Sequence, residues 1–347
     1  MPRSLTVFAL SLALSLVSLP LAAMQPAKVA SLGDFQLVSG EVIREARIAY
    51  RTFGEINAEK NNILVFPTWF DGKTSDLLKY ELIGPGKLAD SSRYFVVAID
   101  ALGNGVSSSP SNSADQPGGA FPAITITDMV NSQHRLLTKH LHIDHVKAVM
   151  GISMGGMQTC QWLGSYPDFM DAAIPIDGTP KMTSYDMLQW QTHERIIGVM
   201  QGAGHSNADI AEVVSPLNLM TLWTPDYLVE NVEADEVQAF IDESLQSYSD
   251  FDAYDYLSQL RAMMNHNVFG ASHEGRQSYI DNTRARVLII GVAGDQMVNP
   301  TPAKELSAPL GASYYAVESN CGHMGTTCAA VDVTRRVHSF FDSFSHR

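Results

Sequence analysis

Basic clusters are missing from this chain. Lys and Arg number 23 against 37 Asp and Glu, a formal net charge of −14, and no aromatic motif of the RNA-binding kind accompanies them. That balance excludes nucleic acid and anionic membrane surfaces as partners. Internal repeats are absent, and the only low-complexity stretch is a Ser/Gly/Pro loop at 107–119. No apolar run reaches the roughly 20 residues that span a bilayer. Cysteine is scarce, with three residues. What remains is the composition of an ordinary globule, 45% apolar and 17% charged over 347 residues, long enough for one large domain with an insertion.

The first residues carry a separate message. Arg3 gives a short positive start, residues 5–19 are apolar and leucine-rich apart from Thr6 and serines, and Leu21-Ala22-Ala23 ends in small side chains after Pro20. This pattern predicts a secretory signal peptide over 1–23 and a mature protein that works in the periplasm or outside the cell, with no stable membrane insertion after cleavage. No cysteine follows the apolar run, which argues against a lipoprotein.

Chemistry concentrates at Gly151-Ile152-Ser153-Met154-Gly155-Gly156. The motif follows an apolar run at 146–150 and precedes a helix-like segment at 157–163. A serine between glycines at a strand-to-helix turn is a nucleophile elbow, in which the strained backbone pushes Oγ out above a sheet. Such a serine needs a base and an orienting acid, expected later in the chain in the order acid, then histidine. Asp295 follows the buried strand pattern at 286–292 and ends in the turn Ala293-Gly294-Asp295-Gln296. His323 sits in a loop after a short strand at 313–317. In this assignment His323 takes the proton from Ser153, and Asp295 fixes the imidazole tautomer and stabilises the imidazolium. Asp177, at the end of the strand that precedes Gly178, is a rival for the acid. Donors for the oxyanion are expected from the backbone N–H of Met154 and, from the loop Pro67-Thr68-Trp69-Phe70-Asp71-Gly72, from Trp69.

Two of the three cysteines are expected to join in an oxidising compartment. Cys160 lies on the helix behind Ser153 and reads as a core thiol. Cys321 and Cys328 flank His323, and the six residues between them permit a disulfide without enforcing one. His140, His142, His145 and Asp144 resemble a metal site but fall where helix turns into strand, so no metal and no cofactor is expected.

Strands at 35–38 and 43–52 joined by a turn at Gly40, then at 63–66, 94–99 and 146–150, alternate with helices, and Thr127 with Asp128 is an N-cap candidate for the helix before the elbow. Alternation implies a mostly parallel central sheet with helices on both faces, an α/β fold. From 180 to 279 the pattern turns helical and methionine-rich, with periodicity at 187–200, 225–247 and 254–264 and no convincing strand. This stretch is an expected helical cap inserted into a core made of 24–179 and 280–347.

With elbow and triad in place, the chain resembles the α/β-hydrolase superfamily, in its homoserine O-acetyltransferase-like branch. The matching segments are 42–57 (VIREARIAYRTFGEIN), 121–144 (FPAITITDMVNSQHRLLTKHLHID), 151–158 (GISMGGMQ) and 251–263 (FDAYDYLSQLRAM). The resemblance implies the α/β-hydrolase fold, an acyl-Ser153 intermediate, and a cap arginine gripping a substrate carboxylate, for which Arg195 is the candidate. It also implies, by analogy, a homodimer through the cap. One position departs: the acetyltransferases follow the histidine with an acid that helps hold the substrate's amino group, and Met324 stands there. The expected function is a serine hydrolase acting on a small-molecule ester or related acyl compound. The alternatives are an acyltransferase moving the same acyl group to an alcohol or amine, and a non-catalytic binding member of the fold.

Overall fold

A computed structural model describes residues 26–344. The expected signal peptide lies outside the described residues. Eight strands form one sheet: β1 (Lys28–Gln36), β2 (Val42–Phe53), β3 (Ile63–Pro67), β4 (Phe95–Ile99), β5 (Val146–Ile152), β6 (Met170–Ile176), β7 (Arg286–Val292) and β8 (Ser313–Val317). Their spatial order is β1-β2-β4-β3-β5-β6-β7-β8. β1 runs antiparallel to β2 and β2 antiparallel to β4, while the pairs from β4 to β8 are parallel.

Parallel strands need crossovers, and the crossover helices bury both faces of the sheet. β3 shows the result residue by residue. Ile63 and Val65 belong to one apolar cluster, Leu64 and Phe66 to the other, and all four are fully buried. The helices of the core are α1 (Thr74–Lys79), α2 (Ile126–Arg135), α3 (Met154–Ser165), α10 (Thr301–Ser307), α11 (Gly325–Cys328) and α12 (Ala330–Asp342). α2 is capped by Thr125 rather than Thr127. The Thr125 hydroxyl accepts from the Asp128 N–H at 3.1 Å, and the Asp128 carboxylate accepts back from the Thr125 N–H at 2.9 Å. The reciprocal box needs its acid three residues past the cap, which only Thr125 satisfies.

Between β6 and β7 come α4 (Ser184–Gly202), α5 (Asn207–Leu222), α6 (Pro225–Asn231), α7 (Val237–Leu245), α8 (Ala253–Met264) and α9 (His273–Asn282). No named strand lies in this stretch; an isolated bridge joins Lys181 to Asn267. α5 escaped the periodicity reading for two physical reasons. Pro216 stands inside it, where proline normally ends a helix, and its buried stripe includes Ser215 and Asn218. No helix among the described residues is long and apolar enough to cross a membrane.

Among the described residues Trp162 of α3 is one of the two largest fully buried side chains, and it also donates from Nε1 to Gln133 Oε1 of α2 at 2.8 Å. Trp162→Ala should therefore lower stability by about 3–5 kcal/mol, read as a fall in the urea midpoint without a change in slope.

Candidate active site

At the end of β5 the chain turns into α3 within one residue. Ser153 occupies that turn with φ 58° and ψ −121°, a conformation that costs a side-chain-bearing residue energy and persists only where its surroundings demand it. The neighbouring glycines make the demand possible. A Cβ on Gly155 would lie 2.7 Å from the Pro67 carbonyl oxygen, and one on Gly151 would run into the Gly155 backbone. The Ser153 N–H donates to the Ile176 carbonyl at 2.9 Å, tying the turn to β6.

The three residues that sequence order brings forward meet here. His323 Nε2 lies 2.9 Å from Ser153 Oγ, and His323 Nδ1 lies 2.6 Å from Asp295 Oδ2. Because Asp295 accepts from Nδ1–H, Nε2 is left to accept the serine proton. Asp295 is itself held, its Oδ1 accepting from the Met297 and Val298 N–H groups at 2.8 and 2.9 Å. All three side chains are buried. Burial pulls the His323 pKa down, but the charge and hydrogen bond of Asp295, with the charge of Asp177, outweigh it and leave it above the ordinary imidazole value.

His323 rides on a short turn that is anchored on two sides. Cys321 and Cys328 are joined, with their Cα atoms 6.6 Å apart. From the cap, the Thr224 hydroxyl donates to the Asn320 carbonyl, and Gly322, at φ 63°, passes so close to the Leu222 carbonyl that a Cβ would lie 2.8 Å from it. Cys160 is a buried free thiol, pushed up to about 12 by burial.

Ser153 and His323 open on a cavity of about 260 Å³. Its apolar wall includes Trp69, Tyr80, Leu222 and Met297, and Met324 borders it beside His323. Trp69 thus borders the same cavity as Ser153, and its N–H makes no bond to another backbone group among the described residues. Met154 opens α3, so its N–H has no intrahelical acceptor. The loop carrying Trp69 is held by the elbow helix: Gln158 Nε2 donates to the Thr68 carbonyl at 2.9 Å, while Gln158 Oε1 accepts from Gln133 Nε2 at 2.5 Å.

Arg195 is not brought to this site. The buried face of α4 is Asp186, Trp190, His193 and Ile197. A helix advances about 100° per residue, so Arg195, two positions from both His193 and Ile197, points the other way and is exposed. The cap contributes instead a polar wall that sequence reading missed, in which Asn218 Nδ2 donates to the Tyr248 hydroxyl at 2.7 Å and the Tyr256 hydroxyl to Asn218 Oδ1 at 3.3 Å. Asp71 also faces the cavity, its carboxyl pushed up to about 7 by burial against the opposing charge of Lys73. None of these had a sequence signal, because each reaches the cavity only through packing of cap against core.

An eight-stranded sheet of this order, with a serine elbow above it and a helical insertion between β6 and β7, defines the α/β-hydrolase fold. The model of the alpha/beta hydrolase fold matches residues 61–196. An acetylester hydrolase from Corynebacterium glutamicum superposes with a TM-score of 0.84 at 26% identity, covering 91% of this chain and 96% of that one. An ethyl acetate hydrolase of Pseudomonas veronii is 37% identical over 164 residues, 47% of each chain. A homoserine O-acetyltransferase of Methanococcoides burtonii is 27% identical over 363 aligned positions, 89% of this chain and 72% of that one. The chain matches about half the length of the esterases among its relatives by sequence. The chain thus has the α/β-hydrolase fold and is similar both to esterases and to homoserine O-acetyltransferases of that fold.

Replacing Gln158 by Leu strands the buried Thr68 carbonyl, which should cost about 1–3 kcal/mol of stability, measured by denaturant titration. Replacing both Cys321 and Cys328 by Ser should lower the melting temperature, with a loss of up to about 3 kcal/mol, because the bridge closes a short loop.

Proposed function

We propose that this protein is a serine hydrolase that cleaves a small carboxylic ester through an acyl-Ser153 intermediate. The observation that carries the reading is the unbroken hydrogen-bonded line from Ser153 Oγ through His323 to Asp295 at the floor of a cavity. In the first half-reaction His323 Nε2 takes the serine proton as Oγ attacks the carbonyl carbon. The developing oxyanion is held by the N–H groups of Met154 and Trp69, and His323 returns the proton to the departing alcohol. In the second half, water gives a proton to His323 and attacks the acyl carbon, and Ser153 is restored as the acid leaves. A cavity of about 260 Å³ supports a small acyl group, below the usual range for drug-sized ligands. Likeness to an acetylester hydrolase and an ethyl acetate hydrolase supports the same substrate class.

Transfer to an alcohol or amine is the second reading, favoured by likeness to the homoserine O-acetyltransferase over most of this chain. Against transfer to an amino-acid acceptor, Met324 rather than an acid borders the cavity beside His323, and a thioether cannot pair with an ammonium. The proposal includes export to the periplasm or beyond, which the Cys321–Cys328 bridge supports, since disulfides persist in oxidising compartments. It also includes a homodimer through the cap, for which the exposed Leu188, Val199 and Met220 offer apolar surface.

Acyl release from p-nitrophenyl acetate tests the reading directly. Ser153→Ala should abolish it, with a loss of about 10⁴-fold or more, together with labelling by a fluorophosphonate. Release unchanged in that variant overturns the mechanism, and product formation that depends on added alcohol or amine establishes transfer. The pH profile has a defined sign. His323 acts as base only when neutral, and its pKa is raised, so kcat/KM should climb with pH through an inflection above the ordinary imidazole value of about 6.5.

A further inference from the structure

Behind the Asp295–His323 pair lies a carboxyl group that the mechanism above does not use. Asp177 ends β6, one residue past Ile176, with φ 46° and its N–H donating to the Ile290 carbonyl of β7 at 2.9 Å. It is 4% exposed, and neither side-chain oxygen completes a hydrogen bond, although the Thr326 hydroxyl and the Val292 backbone lie close by. A buried carboxyl without partners is costly and calls for a physical account. Its charged neighbours supply one: Asp295 and His323 both act on it electrostatically, and it acts in turn on His323.

We propose that Asp177 is a second positioning acid for His323, a carboxyl group kept behind Asp295 that takes over the counter-charge of the imidazolium when Asp295 cannot supply it. The inference rests on the reading of Ser153, Asp295 and His323 as the reacting site. Two buried carboxylates near one another do not both ionise readily, because each raises the other. Burial and the charge of Asp295 push the Asp177 carboxyl up, with His323 opposing. Asp295 keeps the hydrogen bond to Nδ1 and two backbone donors, so it is Asp177 that holds the proton in the resting site. The other titratable group facing the pair is Tyr314 of β8, whose hydroxyl burial, Asp177 and Asp295 all raise. It stays neutral and adds no charge. If Asp295 is made neutral, the repulsion is gone. Asp177 then releases its proton to solvent, and the negative charge reappears beside the same ring.

The test uses the full mature chain as Asp295→Asn, Asp177→Asn and the double variant, each checked by fluorophosphonate labelling and thermal melting. A serine–histidine site that loses its only acid falls by about 10⁴-fold in kcat. Asp295→Asn should fall by less, retaining at least about 30-fold more kcat than the double variant. In the Asp295→Asn background Asp177 carries the charge that raises the His323 pKa, so adding Asp177→Asn there should move the acid limb of kcat/KM to lower pH by roughly half a unit. Asp177→Ser provides the same reading if the asparagine variant does not fold. Asp295→Asn as inactive as the double variant, or an acid limb that Asp177 replacement leaves unmoved in the Asp295→Asn background, overturns the proposal. Wild-type protein that neither labels nor turns over an ester refutes the underlying site instead.

Discussion

The turn from β5 into α3 at Ser153 is the constraint on which the rest depends. It requires a left-handed φ at a residue with a side chain, and that conformation is stable only while α3 presses against the ends of the neighbouring strands. Gly151 and Gly155 remove the atoms that would keep helix and strand apart. The Ile176 carbonyl takes the Ser153 N–H, so that Ser153 is fixed to the sheet rather than to a loop. A rigid scaffold under a reactive group lets geometry, rather than motion, hold it in a near-attack position.

Other parts of the site are wired to this turn by buried polar groups. Gln158, one turn into α3, holds the Thr68 carbonyl and is itself held by Gln133, whose other end receives Trp162 Nε1. The loop that borders the cavity is thereby referenced to the same helix as Ser153. On the opposite side, Gln259 of α8 accepts from the Asp71 N–H at 2.8 Å and donates to the Leu102 carbonyl at 3.0 Å, so the cap is stitched to that loop as well. Each such group is satisfied, which in a low-dielectric interior favours one arrangement over its neighbours. Among the described residues Asp177, Gln189 and Trp190 Nε1 are exceptions, and of these Asp177 stands next to the groups proposed to react.

Local chemistry explains what was legible early. The elbow was readable because glycine clearance and an exposed serine leave a short, dense motif. Asp295 and His323 were readable because parallel strands end at one edge of the sheet, and residues just past them share that edge. The N-cap was misplaced by two residues because Thr125 and Thr127 are chemically alike and only hydrogen-bond geometry separates them. Helix α5 was missed because Pro216 and two polar residues on its buried face mask its period.

Sequence by itself determined most of the alternation of strands and helices and the serine turn, and it brought Asp295 and His323 forward, because these follow from short-range sterics, periodicity and the ends of strands. Tertiary structure alone decided which cap residues face the cavity. It turned Arg195 to solvent and brought Asn218, Tyr248 and Tyr256 inward, since the azimuth of a helix is set by the neighbour it packs on. It also decided that Cys321 and Cys328 join, and that Asp177 lies beside Asp295. The second proximity brings together chain segments more than a hundred residues apart at the ends of neighbouring strands, and no local pattern encodes it; the first depends on how the turn around His323 folds back on itself.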